Sequence, residues 1–100
     1  MLERFIRYIE TERRYSVHTV SSYRRDVEQF STYLINIYNV DDVLRATTEM
    51  VRSYVVSLKE GGMESRSINR KLSSLRSFYR FCLREKEISD NPMRGVKSLK

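Results

Sequence analysis

The sequence has few of the residues that most enzymes and metal proteins depend on. Its 100 residues include one cysteine, Cys82, one histidine, His18, one proline, three glycines and no tryptophan. A single cysteine can form neither an internal disulfide nor a zinc site of paired thiolates. There is also no glycine-rich phosphate loop and no arrangement of Ser, His and Asp typical of nucleophilic catalysis. We therefore expect no cofactor, no metal and no catalytic residue in this chain.

Long hydrophobic runs are absent as well. No run of hydrophobic residues is longer than three, whereas a membrane-spanning helix needs roughly 20. The sequence also lacks the apolar segment of a secretory signal peptide. We expect a cytoplasmic protein without a membrane partner.

Positive charge, in contrast, is abundant and unevenly distributed. The chain has 19 Lys and Arg against 13 Asp and Glu, a net charge of +6. Residues 1–60 hold nine basic and nine acidic residues, whereas residues 61–100 hold ten and four, so the whole excess lies in the second segment. Such a segregated excess indicates an anionic polymer as partner. From charge alone, a solvated surface that only keeps the protein in solution explains it equally well.

Hydrophobic residues recur at helical spacing along most of the chain, which predicts an all-α fold. Four helices joined by short connections indicate a compact four- to five-helix bundle. The first predicted helix covers about Leu2–Arg13, and the second follows Ser16, with an apolar stripe from Val20 to Tyr38. A short turn from Asp41 to Leu44 leads to a third helix, which is capped by Thr47 or Thr48 and ends at Gly61-Gly62. The last helix begins at Ser65 or Glu64 and runs to about residue 87. The residues after Pro92 have no periodicity and resemble a linker.

The last predicted helix has two contrasting faces. At 100° per residue, one face is apolar and predicts a core stripe. It consists of Ile68, Leu72, Leu75, Tyr79 and Cys82, bordered by Phe78 and Leu83. The opposite face carries Arg66, Arg70, Ser73, Ser77, Arg80 and Arg84, without an acidic residue. Like charges at i,i+4 cost a few tenths of a kcal/mol per pair, and small hydroxyl residues between arginines suit a helix that lies along phosphates.

The second predicted helix has a matching polar face. His18, Ser22, Arg25 and Gln29 lie opposite its apolar stripe. Its first turn, with His18 and Thr19, is a natural seat for a phosphate because helix N-termini attract anions. His18 has no partner for metal binding or catalysis. Most aromatic residues fall on the core stripes, so duplex DNA is favoured over single strands.

Two other classes of protein remain open at this point. A helical protein-interaction module could dock its basic face on an acidic partner, although such an interface usually has aromatic or Met anchors at its centre, where this face has Ser73, Ser74 and Ser77. A transcription regulator with a helix-turn-helix could use residues 61–64 as its turn. It would need a dimerisation helix, for which the sequence shows no candidate.

Three stretches resemble the N-terminal, core-binding (SAM-like) domain of tyrosine recombinases, most closely the Xer and phage-integrase type. They are Phe5–Phe30, the acidic turn Val40–Leu44 with the following helix to Gly61-Gly62, and Ser65–Phe81 followed by Asn91-Pro92. The resemblance covers nearly the whole chain in order and spacing. It implies a core-binding domain at residues 1–91 and the start of a linker to a catalytic domain at residues 92–100.

The resemblance also implies a function. Such a domain binds one side of duplex DNA with its second and fourth main helices in the major groove, next to the strand-exchange site. A catalytic domain, which carries the family's Arg/Lys/His/Arg/His set and its nucleophilic Tyr, closes the clamp, and four protomers bring two DNA sites together. By position, the expected DNA contacts are His18, Thr19, Ser21, Ser22, Arg66, Ser67, Arg70, Ser73 and Ser74. The helical faces described above add Arg25, Ser77 and Arg80.

Overall fold

Four α-helices account for most of the chain. A computed structural model describes all 100 residues and contains no strand. The helices are α1 (Leu2–Thr11), α2 (Val17–Tyr33), α3 (Thr48–Glu60) and α4 (Ser65–Arg84), with a π-helical turn at Leu34–Tyr38 and a 3₁₀ turn at Val43–Arg45. The predicted all-α class and the helix order are confirmed. None of the helices is both long enough and apolar enough to cross a bilayer.

Capping residues set where several of the helices begin. The Ser16 hydroxyl accepts a hydrogen bond from the Thr19 N–H at 3.2 Å, and the Thr47 hydroxyl accepts one from the Met50 N–H at 3.3 Å. Each bond satisfies a donor that the helix itself leaves free. Thr47 is therefore the cap of α3, and the Asp42 carboxylate caps the 3₁₀ turn in the same way at 2.9 Å from the Leu44 N–H. Glu64 precedes α4 without a capping bond from its side chain.

The core forms where the apolar stripes of the helices meet. All five residues of the predicted α4 stripe are fully buried, and Phe78 joins them. They pack with Phe5 and Ile9 of α1, Val27 and Phe30 of α2, and Val51 and Tyr54 of α3. Leu83, which we expected at the border of the stripe, is 39% exposed. Every helix therefore contributes to the core, and α4 contributes more buried residues than any other helix.

The predicted stripe of the second helix does not extend to Tyr38. Leu34 is fully buried, but Ile35, Ile37 and Tyr38 are 47%, 60% and 37% exposed. The reason is the π-helical turn at Leu34–Tyr38, since a wider turn rotates the following side chains away from the stripe. Asn39, in the left-handed conformation at φ 55°, then ends the helix.

The C-terminal segment has no regular structure, but it packs on the bundle. Met93 is buried, and Val96 and Leu99 pack against the core. The Asn69 amide donates to the Leu99 carbonyl at 2.9 Å and accepts from the Leu99 N–H at 2.7 Å. Arg76 donates to the Val96 carbonyl at 3.0 Å. Residues 93–99, which belong to the segment 92–100 that we expected to begin a linker, thus lie along α4.

Candidate nucleic-acid interface

The polar face of α4 is largely open to solvent. Arg66, Ser73 and Arg80 are exposed, and Ser77 is half-buried. Neither Arg66 nor Arg80 takes part in any of the six ion pairs of the protein. Their charges are therefore not neutralised within the chain and are available to an anion.

The polar face of α2 is exposed in the same way. His18, Ser21 and Arg25 are exposed, whereas Thr19 and Ser22 are half-buried. Arg25 forms no ion pair; its Nη2 reaches only the Ser22 hydroxyl, at 3.5 Å. The Thr19 hydroxyl lies 3.0 Å from that of Ser16, so it belongs to the cap of the helix. The first turn of α2 thus combines an exposed histidine with a capped helix N-terminus.

A buried polar cluster joins α2 to α4 between these two faces. Asp26 of α2 is fully buried and accepts hydrogen bonds from Arg70 at 2.6 Å, Lys71 at 3.2 Å and Ser74 at 2.6 Å. Lys71 also donates to Gln29. Gln29 belongs to the polar face of α2 and Arg70 to that of α4, so the two faces border the same helix–helix contact.

Two of the expected contact residues have a different environment from the one that we predicted. Ser74 is 1% exposed, and its hydroxyl donates a hydrogen bond to Asp26. In this structure it therefore belongs to the contact between the helices and not to the open face that we predicted to bind DNA. Arg70 is paired with Asp26, but 45% of its side chain remains exposed. Ser67 is half-buried near the start of α4.

Asp26 and Lys71 were not among the residues predicted from the sequence. Lys71 is 6% exposed and lies between Ile68, Leu72 and Leu75, on the apolar side of α4. Asp26 precedes buried Val27 and lies one turn before Phe30. A charged residue within a core stripe needs a partner of opposite sign, because an unpaired buried charge is very costly. The signal available in the sequence was therefore one lysine and one aspartate, each on the core-facing side of its helix.

The interface contains no arrangement suited to a metal. No group of three or more His, Cys, Asp and Glu side chains lies close enough together to hold an ion. Cys82 is buried in the core, and burial raises the pKa of its thiol from 9.0 to about 12. What the surface offers is guanidinium groups, hydroxyls and one imidazole, which are donors for phosphate oxygens and base edges.

Comparison with known proteins defines the class of this chain. Residues 2–86 match the family described as the phage integrase, N-terminal SAM-like domain. The chain belongs to this family, and the four α-helices agree with it. The expected resemblance to the N-terminal domain of tyrosine recombinases is confirmed.

Individual relatives within this family are similar to the chain over nearly its whole length. The chain is 39% identical over 98 residues to the tyrosine recombinase XerC of Listeria welshimeri, covering 98% of this chain and 32% of that protein. It is 38% identical over 91 residues to the XerC of Anoxybacillus flavithermus, covering 91% and 30%. For the XerC of Bacillus subtilis the identity is 35% over 92 residues, covering 92% and 30%. The chain thus spans about a third of the length of these relatives. No solved structure matches it.

Proposed function

We propose that this chain is the duplex-DNA-binding module of a site-specific tyrosine recombinase. Its α2 and α4 faces bind the major groove next to the strand-exchange site and form half of a clamp around the DNA. A separate catalytic domain closes the clamp and cuts the strand, and further protomers complete a tetramer on two DNA sites. The chain itself binds DNA and acts in the cytoplasm.

The observation that carries this proposal is the contact at Asp26. It holds the two arginine-bearing faces side by side, while Arg25, Arg66 and Arg80 keep their charges free of carboxylates. Arginines spaced along adjacent helices neutralise backbone phosphates, and small hydroxyls such as that of Ser73 let the helix come close to the groove. Base contacts fall to His18, Ser22, Arg70 and Ser73.

Salt dependence of binding to a labelled DNA duplex tests the proposal directly. If Arg25, Arg66 and Arg80 each contact a phosphate, the logarithm of the association constant falls with the logarithm of salt with a slope of about −2.7, at about 0.9 per phosphate. The slope is about −3.6 if Arg70 contacts a phosphate instead of a base. Fluorescence anisotropy at several salt concentrations measures the slope. An isolated module of this kind should bind with a Kd of about 1 to 100 µM.

Arg66→Gln and Arg45→Gln form a matched pair for this experiment. Both arginines are exposed and form no ion pair, but Arg45 ends the 3₁₀ turn and belongs to neither the polar face of α2 nor that of α4. Arg66→Gln should weaken binding and make the slope shallower by about 0.9. Arg45→Gln should leave both unchanged. Binding that is insensitive to salt, or equal effects of the two variants, would refute the proposal.

A further inference from the structure

A cleft beside the exposed face of α4 has the features of an anion site. It lies between the C-terminal part of α1, the loop that follows it, and the second half of α4, and its volume is about 220 Å³. Its lining consists of three arginines, two tyrosines, one serine and an apolar floor: Arg13, Arg80, Arg84, Tyr8, Tyr15, Ser77, Phe5, Ile9 and Phe81. No carboxylate lines it. Three cations therefore face one space without a counter-charge in that space.

Aromatic rings hold two of these arginines in place. The Arg84 guanidinium lies 4.5 Å from the centroid of the Tyr8 ring, and its Nη1 is 3.3 Å from the Tyr8 hydroxyl. The Arg13 guanidinium lies 5.3 Å from the centroid of the Tyr15 ring. Stacking on a ring fixes the plane of a guanidinium and leaves N–H groups at its edge free to donate.

The remaining charges around the cleft leave its excess positive. Arg80 forms no ion pair, and Arg84 contacts one carboxylate, Glu85, at 3.5 Å. Glu85 is already paired with Arg4 at 2.9 Å. The guanidinium groups of Arg13 and Arg84 also hold the pKa of the Tyr8 hydroxyl below its usual value of 10.0, because they favour negative charge at that oxygen.

Phosphate is the anion that fits these donors best. Guanidinium edges match phosphate oxygens in pairs, and serine and tyrosine hydroxyls supply further donors. The cleft is several times larger than the roughly 30 Å³ that a water molecule occupies in the liquid, so a tetrahedral oxyanion can enter it. Ser77 and Arg80 line the cleft and also belong to the open face of α4. An anion bound in the cleft would therefore lie directly beside a ligand bound along the open face of α4.

We propose that this cleft binds one phosphate of the DNA backbone through Arg13, Arg80 and Arg84, with Ser77 and Tyr8 as further donors. The source of the phosphate rests on the proposed function, whereas the affinity of the cleft for a phosphate oxyanion does not. The DNA interface then extends from α2 and α4 to the loop between α1 and α2, and Arg13 and Arg84 join the residues that bind DNA.

The first arm of the test uses duplex DNA and the 100-residue chain. Arg13→Gln and the double variant Arg13→Gln/Arg84→Gln are compared with Arg45→Gln as control. The double variant should weaken binding more than Arg13→Gln does, because two of the three guanidinium donors to that phosphate are then lost and only Arg80 remains. Arg13→Gln alone should weaken binding in the same direction. Because Arg13 is exposed in a loop, its variant reports on the cleft even if removal of Arg84 from the Tyr8 ring unfolds the double variant.

The second arm uses inorganic phosphate and no DNA. In ¹H–¹⁵N NMR spectra of the arginine side chains, phosphate should shift the Nε–Hε signals of Arg13, Arg80 and Arg84 to saturation and leave that of Arg45 in place. If phosphate shifts none of these signals and Arg13→Gln binds DNA normally, the cleft proposal is overturned.

The two arms also separate this proposal from the proposed function. Weaker DNA binding by Arg66→Gln, with no effect of Arg13→Gln or of the double variant and no phosphate shifts, overturns the cleft and leaves the proposed function intact. Saturable phosphate shifts in a chain that binds no DNA overturn the DNA source and the proposed function together, and they leave an oxyanion site for free phosphate.

Discussion

Arg70 Nη1 lies 2.6 Å from Asp26 Oδ2, and this bond joins an arginine that is nearly half exposed to a carboxylate that is fully buried. The pair sits at the contact between α2 and α4, with Lys71 on the other carboxylate oxygen at 3.2 Å. One end of the network is therefore inside the protein and the other is on the proposed DNA surface. Substitution of Asp26 should mainly lower the free energy of unfolding and, to a smaller extent, change the orientation of Arg70.

Asp26→Asn should destabilise the fold strongly. The variant removes the negative charge that compensates buried Lys71, and breaking a buried ion pair on one side costs about 3 kcal/mol or more. Urea denaturation followed by circular dichroism measures the free energy of unfolding. Asp41→Asn, at an exposed carboxylate without an ion pair, is the control and should change it little. In the double variant Asp26→Asn/Lys71→Met much of the stability should be recovered, since neither charge is then buried. Equal stability of Asp26→Asn and the wild type would contradict the role given to this network.

Ser73 and Ser74 are neighbours of the same type with opposite environments. Ser74→Ala removes a donor to a buried carboxylate and should lower the free energy of unfolding by about 1.5 kcal/mol. Ser73→Ala changes an exposed side chain and should stay within about 0.5 kcal/mol of the wild type. In the DNA anisotropy assay the order should reverse for folded protein, with the larger decrease in affinity for Ser73→Ala. A larger decrease in stability for Ser73→Ala would show that the burial assigned to the two serines is reversed.

The periodicity of the sequence predicted the core well. Helical spacing alone identified the buried stripe of α4, and the caps at Ser16 and Thr47 follow from local hydrogen bonds that any helix start requires. These features depend only on neighbours within about four residues, which is the range over which helix geometry is fixed. The two polar faces could be predicted for the same reason.

What could not be predicted depends on which helices meet. Ser74 lies on the edge of the polar face of α4 and turns inward only because α2 brings Asp26 to it. The exposure of Tyr38 depends on a single wider turn at Leu34, which periodicity does not reveal. The packing of residues 93–99 depends on Asn69, whose amide binds a backbone thirty residues away in the sequence.

Asn69→Ala should release the C-terminal segment from α4. The Asn69 amide makes two hydrogen bonds to the backbone of Leu99, one in each direction, and alanine can make neither. Hydrogen exchange followed by NMR should show faster exchange of the Leu99 amide in the variant, while amides in the middle of α4 keep their protection. Asn36→Ala, at an exposed asparagine of the π-helical turn, should leave the Leu99 amide protected. Unchanged exchange in Asn69→Ala would mean that Val96 and Leu99 hold the segment by packing alone.

Cys82 should be inert in the folded protein. Its thiol is fully buried, and burial raises its pKa from 9.0 to about 12, so very little of it is thiolate at pH 8. A thiol-reactive dye such as DTNB should therefore react slowly with the native chain and rapidly in guanidinium chloride, where the thiol is exposed. The native rate should rise in Asp26→Asn in proportion to the population that unfolds. Rapid labelling of the stable wild type would place Cys82 outside the core.

The protein should lose stability as the pH rises above about 9. Burial raises the pKa of Cys82 from 9.0 to about 12 and that of Tyr54 from 10.0 to about 12, and it also raises the pKa of Tyr79. In the unfolded chain these groups lose their protons near their ordinary values, whereas the folded chain keeps them. The unfolded state is therefore favoured progressively between about pH 9 and pH 12, and the stability that these groups contribute is fully present below that range. Urea denaturation at increasing pH measures the decline, and Tyr54→Phe should make it shallower. Constant stability up to pH 11 would contradict the burial of these three side chains.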